Sequence, residues 1–266
     1  MRSPLLVPLA AFTIALPLEA QGAVRDDGRT LAWEGTIARG AVLRADNVNG
    51  SVRVVAGLHD RVVIKGTRTV RKGDGSRVTA EVRRRGDGGL VVCVLWPGQR
   101  CDDEGARGSS RDREWRDLQV EVDLVVELPA GSPIHVETVN GRVAVVQASS
   151  WVKVESVNGS VEIDGGDGEV TAETVNGSIR LRPARPSRSG TWRAEAVNGS
   201  VVVELPTGVG ADVDVETVNG RVTSDLPITV NGRMERGELR GRIGAGGHSL
   251  KVETVNGSVT IRPAGA

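Results

Sequence analysis

Apolar and polar residues alternate with period two along most of this chain, and the alternation is written in near-copies. The frame "ETVNGSIRL" at 173–181 recurs as "ESVNGSVEI" at 155–163, "ETVNGRVAV" at 137–145, "EAVNGSVVV" at 195–203 and "ETVNGSVTI" at 253–261. Three residues before each Glu stand Ile134, Val152, Val170, Trp192, Val213 and Leu250, and one residue before it Val136, Val154, Ala172, Ala194, Val215 and Val252. Polar His135, Lys153, Thr171, Arg193, Asp214 and Lys251 separate the two columns. Such alternation predicts half-buried strands. After Asn-Gly the pattern resumes, with Val143, Val161, Ile179, Val201, Val222 and Val259 inward, each preceded by an outward Arg142, Ser160, Ser178, Ser200, Arg221 or Ser258.

Each unit therefore reads as strand, Asn-Gly corner, strand and second corner, the last exemplified by "DGGDG" at 164–168. The corner asparagines are Asn49, Asn140, Asn158, Asn176, Asn198, Asn219 and Asn256, spaced 18, 18, 22, 21 and 37 residues from Asn140 onward. A period near 20 predicts a stacked array. A degenerate copy, "TVNGRMERGELRGRIG" at 229–244, is read as filling the last gap. Asn and Gly suit a tight corner because both tolerate positive φ. The first copy, "LRADNVNGSVRV" at 43–54, carries Asp46 in place of Glu, and longer strands interrupt the series over 55–133.

Two architectures satisfy the pattern. In an all-β solenoid, right-handed and β-helix-like with coils of about 18–22 residues, each unit is one coil and equivalent residues stack in ladders. In an antiparallel hairpin meander or sandwich, each Asn-Gly is a type I′ turn. The solenoid is preferred because residue identity is kept in columns that a meander would not need to match. The division expected is a leader at 1–20, an N-terminal β region at 21–133 containing a polar insertion at 97–117, and a repeat solenoid at 134–266.

Composition narrows the function classes. Thirty-five Gly, no Tyr and a balance of 34 basic against 34 acidic residues favour strands and turns, with no global field toward nucleic acid or anionic membrane. The opening "MRSPLLVPLAAFTIALPLEA" has the plan of a secretory signal peptide. No later run reaches the ~20 apolar residues of a membrane helix. Cys93 and Cys101, the two cysteines, bracket "VLWPGQR" and are expected to form a disulfide in an oxidising compartment.

With the columns laid out, the chain resembles the bacterial "putative-adhesin" family of β-strand-repeat proteins, a domain of unknown function. The likeness rests on "GSVRVVAG", "VDLVVELPAG" at 122–131, the serial "ETVNG" copies and the closing "GRIGAGGHSLKVETVNGSVTI", and spans Trp33 to Arg262. It implies a β-helix-like fold and brings no catalytic residues.

Candidate chemistry is sparse. His59, His135 and His248 fall in unrelated parts of the pattern, and His135 takes an outward column. Asp164, Asp167 and Glu169 in "DGGDGE" are candidate calcium ligands, since Asp and Gly suit hard-cation turns. Trp192 occupies an inward column, whereas Trp96 and Trp115 flank the polar insertion, either anchoring it or forming a small binding patch. "RGD" at 85–87 is read as chance in a chain this rich in those residues. The acidic column Glu137, Glu155, Glu173, Glu195 and Glu216 would line up along a solenoid as a stripe able to hold divalent cations or a basic partner. The expectation is a non-catalytic, exported adhesin-like binding or scaffold protein of the cell envelope, periplasmic or at the surface, without a cofactor. Its partner would be an envelope protein, a glycan or another copy of itself. The alternatives are a polysaccharide-active β-helix enzyme and a structural or sensory periplasmic protein of an envelope stress system.

Overall fold

The computed structural model describes residues 23–57, 60–108, 115, 117–184, 190–230 and 237–265. The leader, His59 and part of the polar insertion lie outside these residues. Two eleven-stranded sheets face each other across one apolar core. The strands that precede each Asn-Gly build one sheet, and the strands that follow it build the other. In the first sheet the repeat strands stack in parallel register, so that Leu43, Ile134, Val152, Val170, Trp192, Leu250 and Val213 form one row. In the second, Val52, Val143, Val161, Ile179, Val201, Val259 and Val222 form another. Direct parallel pairing of equivalent strands excludes the meander, in which every neighbouring pair would run antiparallel.

The columns fall where the alternation puts them. Every residue of the two inward columns before Glu is at most 4% exposed, and so is each inward residue after Asn-Gly except the half-buried Val222. Trp192 is fully buried and stacks on His248 at 4.8 Å between ring centroids. The N-terminal strands extend the same layers: Gln119–Leu128 pairs parallel with Val52–Ala56 and antiparallel with Val62–Lys72, and Leu90–Leu95 adds to Leu43–Asn49. Both sheets and the core thus run without interruption across residue 133.

Two expectations are corrected. The described corner asparagines do not use positive φ: the one described non-glycine residue with positive φ is Gln147, and among the described corner glycines of the repeat only Gly50 and Gly141 have it. Asn-Gly is required by stacking instead. Each Asn side chain donates to the one before it in the stack: Asn140 Nδ2 to Asn49 Oδ1 at 2.6 Å, and then Asn158, Asn176, Asn198, Asn256 and Asn219 each to its predecessor at 2.8–2.9 Å. Beside them the coils approach so closely that a Cβ on Gly159 would lie 1.9 Å from the Gly141 carbonyl oxygen. Any side chain there would force the coils apart.

The second correction concerns order. The last copy in sequence, Ser249–Asn256, inserts between Thr191–Asn198 and Ala211–Asn219. The stretch read as a degenerate coil is not one. Ile228–Val230 and Glu238–Ile243 are antiparallel strands that close the end of the first sheet against Ala211–Asn219, and 231–236 lie outside the described residues. Charge accounts for the choice of neighbour. Ala211–Asn219 carries Asp212, Asp214 and Glu216, and the closing strand brings Arg242 to Asp212 at 2.6 Å and Arg240 to Asp214 and Glu216 at 3.0 and 2.6 Å.

The buried columns predict that Val161→Asp unfolds the repeat region while Ser160→Asp is tolerated. Val161 is 1% exposed, and an unpaired charge there costs several kcal/mol. Thermal melts of the two variants check this; equal melting temperatures would defeat the assignment.

Candidate functional site

The outward face of the first sheet carries the ordered polar chemistry. Two residues apart on every repeat strand stand a basic or polar residue, an acid and a valine, all on the same side because side chains alternate. The acids register as Asp46, Glu137, Glu155, Glu173, Glu195, Glu253 and Glu216. The expected stripe of Glu137, Glu155, Glu173, Glu195 and Glu216 is therefore one row, with Glu253 standing between Glu195 and Glu216. Beside it runs a row absent from the sequence reading: Val139, Val157, Val175, Val197 and Val255 are 39–41% exposed and Val218 is 74% exposed. Counting parity on from Glu would have found it, since the Val of each "VNG" lies two residues beyond the acid. Between the rows runs a groove of ≈ 580 Å³ over Ser156, Thr174, Ala196, Thr217 and Thr254. It continues into a recess of ≈ 300 Å³ beside Asp46 and Glu137.

Stacked carboxylates about 4.8 Å apart repel, and the residue two positions earlier relieves most of it. Lys153 reaches Glu155 at 3.0 Å, Arg193 reaches Glu195 at 3.0 Å and Lys251 reaches Glu253 at 2.5 Å. Glu173 has Thr171 in that place and, among the described residues, forms no ion pair. Partial burial, with Glu155 and Glu195 on either side, pushes its carboxyl above the usual range.

At the other end the row is knotted. Arg44 forms ion pairs with Asp46 at 3.0 Å and Glu137 at 2.5 Å, and His135 Nε2 lies 2.9 Å from Glu155 and 3.2 Å from Glu137. The His135 ring and Arg44 hold the Glu137 carboxyl down to about 2, while burial pushes Asp46 up. His135, Glu137 and Glu155 bring their ligand atoms within 4.8 Å of one another. Arg44 Nη1, however, meets His135 Nδ1 at 3.0 Å. It can donate only to a lone pair, which leaves the ring proton on Nε2 and removes the lone pair a metal would need. The cluster is an ion-pair knot.

Over this knot folds a hairpin, Gln99–Asp102 with Gly105–Gly108, tied by the Cys93–Cys101 disulfide. Ala106 N–H donates to Asp46 at 2.8 Å, and Val91, Cys93, Leu95 and Cys101 form a second small core on the outward side. Trp96 and Trp115 pack together at 5.2 Å and Trp115 Nε1 donates to the Pro97 carbonyl, so this pair anchors the insertion. The calcium candidates are not brought together: Asp164 pairs with Arg182 at 3.4 Å, and Asp164, Asp167 and Glu169 form no three-ligand group within 4.8 Å.

Comparison with known proteins follows the fold. The family model described as Toastrack DUF4097 matches residues 130–262, half of the chain. No curated protein matches the sequence. A structure named "putative cell adhesion protein", from Clostridium sporogenes ATCC 15579, is similar over 88% of this chain and 100% of its own, with a TM-score of 0.51 and 15% identity. One named "putative adhesin", from Bacteroides fragilis NCTC 9343, covers 88% of this chain and 97% of its own at 8% identity, with a TM-score of 0.31. At these identities the first likeness shows the fold alone, and the second adds nothing to it. Among the described residues no helix is long and apolar enough to cross a membrane.

Two predictions follow from the row. Because the folded state raises the Glu173 carboxyl, it favours the protonated form, and the charged form lowers stability as pH rises through that titration. Glu173→Gln should therefore melt higher than wild type at pH 7 and low salt, by a fraction of a kcal/mol, with the gap closing below about pH 4. A lower melting temperature for the variant would reject the repulsive row. Arg44→Ala leaves Asp46, 7% exposed, without its cation, and should cost about 3 kcal/mol in denaturant melts at neutral pH. The loss should shrink as acid protonates Asp46.

Proposed function

The chain belongs to the Toastrack family, and we propose that it is a non-catalytic, exported, adhesin-like binding or scaffold protein of the cell envelope. The observation that carries this reading is the outward face itself. Its acid and valine rows repeat over the stacked coils, with Glu173, which has no ion pair among the described residues, near the middle: a surface for a long repetitive contact and not a pocket for one small substrate. The Cys93–Cys101 disulfide supports passage through an oxidising compartment, as does the secretory plan of residues 1–20. The partner is an envelope protein or glycan, or a second copy.

The test immobilises residues 21–266, as wild type and as Val175→Lys, and presents solubilised envelope fractions, a glycan array and a polysaccharide panel. Retention by wild type that falls at least tenfold in the variant supports the reading. Equal retention by both, or turnover of any polysaccharide, overturns it.

A further inference from the structure

We propose that the valine row docks against the same row of a second copy of this chain, the two solenoids lying face to face. The proposal deepens the reading above by naming the partner for the outward face.

Spacing points to the occupant. The exposed valines recur once per coil, about 4.8 Å apart. An extended peptide laid along the row presents same-face side chains about every 6.8 Å, and is out of step by 2 Å at its first repeat. A helix rises about 5.4 Å per turn and also drifts. A second β-ladder stays in step at every coil, and this chain carries one with matching side chains. The molecule already uses the face in this way: at the Asp46 end the outward side is covered by β-structure, the disulfide-tied hairpin packing on Val91, Cys93 and Leu95. From Ile134–Asn140 onward the same face is open.

Charge selects the arrangement. A two-fold axis along the strand direction would set acid row on acid row. A two-fold axis parallel to the coil axis, running along the valines, brings Val157 to Val157 and Val255 to Val255. It leaves the two acid rows on opposite flanks, each two residues from the seam and so about 13 Å apart. That exceeds the screening length of about 8 Å at physiological salt. The hairpins stand over Asp46 on the acid side and fall on opposite flanks too. Sheets aligned in this way pack about 10 Å apart, and each valine meets its equivalent across the seam.

The open strip is about 29 Å long and about 13 Å wide, near 380 Å² per copy, roughly half of a standard interface at ~800 Å². The association is therefore weak and concentration-dependent, suited to many copies held together on a surface.

Sedimentation velocity on residues 21–266 tests it between about 10 μM and about 1 mM, a range that spans weak association. The expected result is a dimer at the upper end that persists in 1 M salt and is lost in both Val175→Lys and Val197→Lys, with Ser160→Asp unchanged. Val157→Cys and Val255→Cys, three coils apart, should each cross-link to itself through a short bis-maleimide, which spans facing thiols on sheets about 10 Å apart where a direct disulfide cannot close, because the parallel axis pairs every coil with its equal. A monomer throughout overturns the proposal. So does a dimer that salt dissolves, or cross-linking at only one of the two positions, which marks the reversed arrangement. The binding assay above can still succeed if the dimer fails, so the two readings fall separately.

Discussion

The Asn-Gly corner is the contact on which the rest of the structure depends. Two hydrogen-bond ladders pass through it: the side-chain amides of Asn49 to Asn219, and the main chain, where each Gly N–H donates to the next coil's Asn carbonyl, as from Gly159 to Asn176 at 2.9 Å. Thr174, Thr217 and Thr254 add hydroxyl donors to the Gly carbonyls of neighbouring coils. The close approach at Gly159 fixes the coil spacing there, because a Cβ would meet the Gly141 carbonyl. With the corner pinned, no strand can slip by one residue, and a slip would turn every inward valine out.

Registration has a cost as well as a benefit. Holding coils in step stacks like on like, which suits apolar columns and amide ladders but sets carboxylates side by side. The sequence offsets this with a cation two residues earlier on most strands, and with Arg240 and Arg242 at the closing end. Similar logic governs the second sheet, where Glu204, nearly buried, is held by Arg182 and Arg262 at 2.5 Å each, and its carboxyl stays below the usual range despite burial. Thr171 is the departure, and it leaves Glu173 without an ion pair among the described residues.

How much of this was legible follows from what period-two alternation encodes. It encodes which face a residue takes, so the core columns, the buried Trp192 and the acid row could be read directly. It does not encode which copy neighbours which: Glu195 could pair with Glu216 or Glu253 equally well by local sequence. The answer lies in Arg240 and Arg242, whose role emerges only once Glu238–Ile243 is seen as a strand against Ala211–Asn219. Nor could positive φ and coil contact be told apart as reasons for Gly, since both ask for the absence of Cβ. The hairpin over Asp46 was out of reach for a similar reason, being a long-range contact made by an irregular segment, although its disulfide was readable from the close spacing of the two cysteines and the expectation of an oxidising compartment.

The valine row shows where shape and function part. A solenoid of this kind needs inward valines to bury area and corner residues to hold register, and neither demand reaches the outward position two residues past the acid. A soluble residue there would keep every hydrogen bond of the corner and every buried contact of the core. Each copy nonetheless places Val at that point, beside charged neighbours and about two-fifths exposed on most coils. At the end where the chain folds back on itself, the same outward side is apolar and covered. The monomer supplies a reason for the acids' partners and for the glycines, but none for leaving aliphatic surface open along the rest of the face. A regular apolar row on an otherwise polar face is what a surface meant to be covered looks like before it is covered.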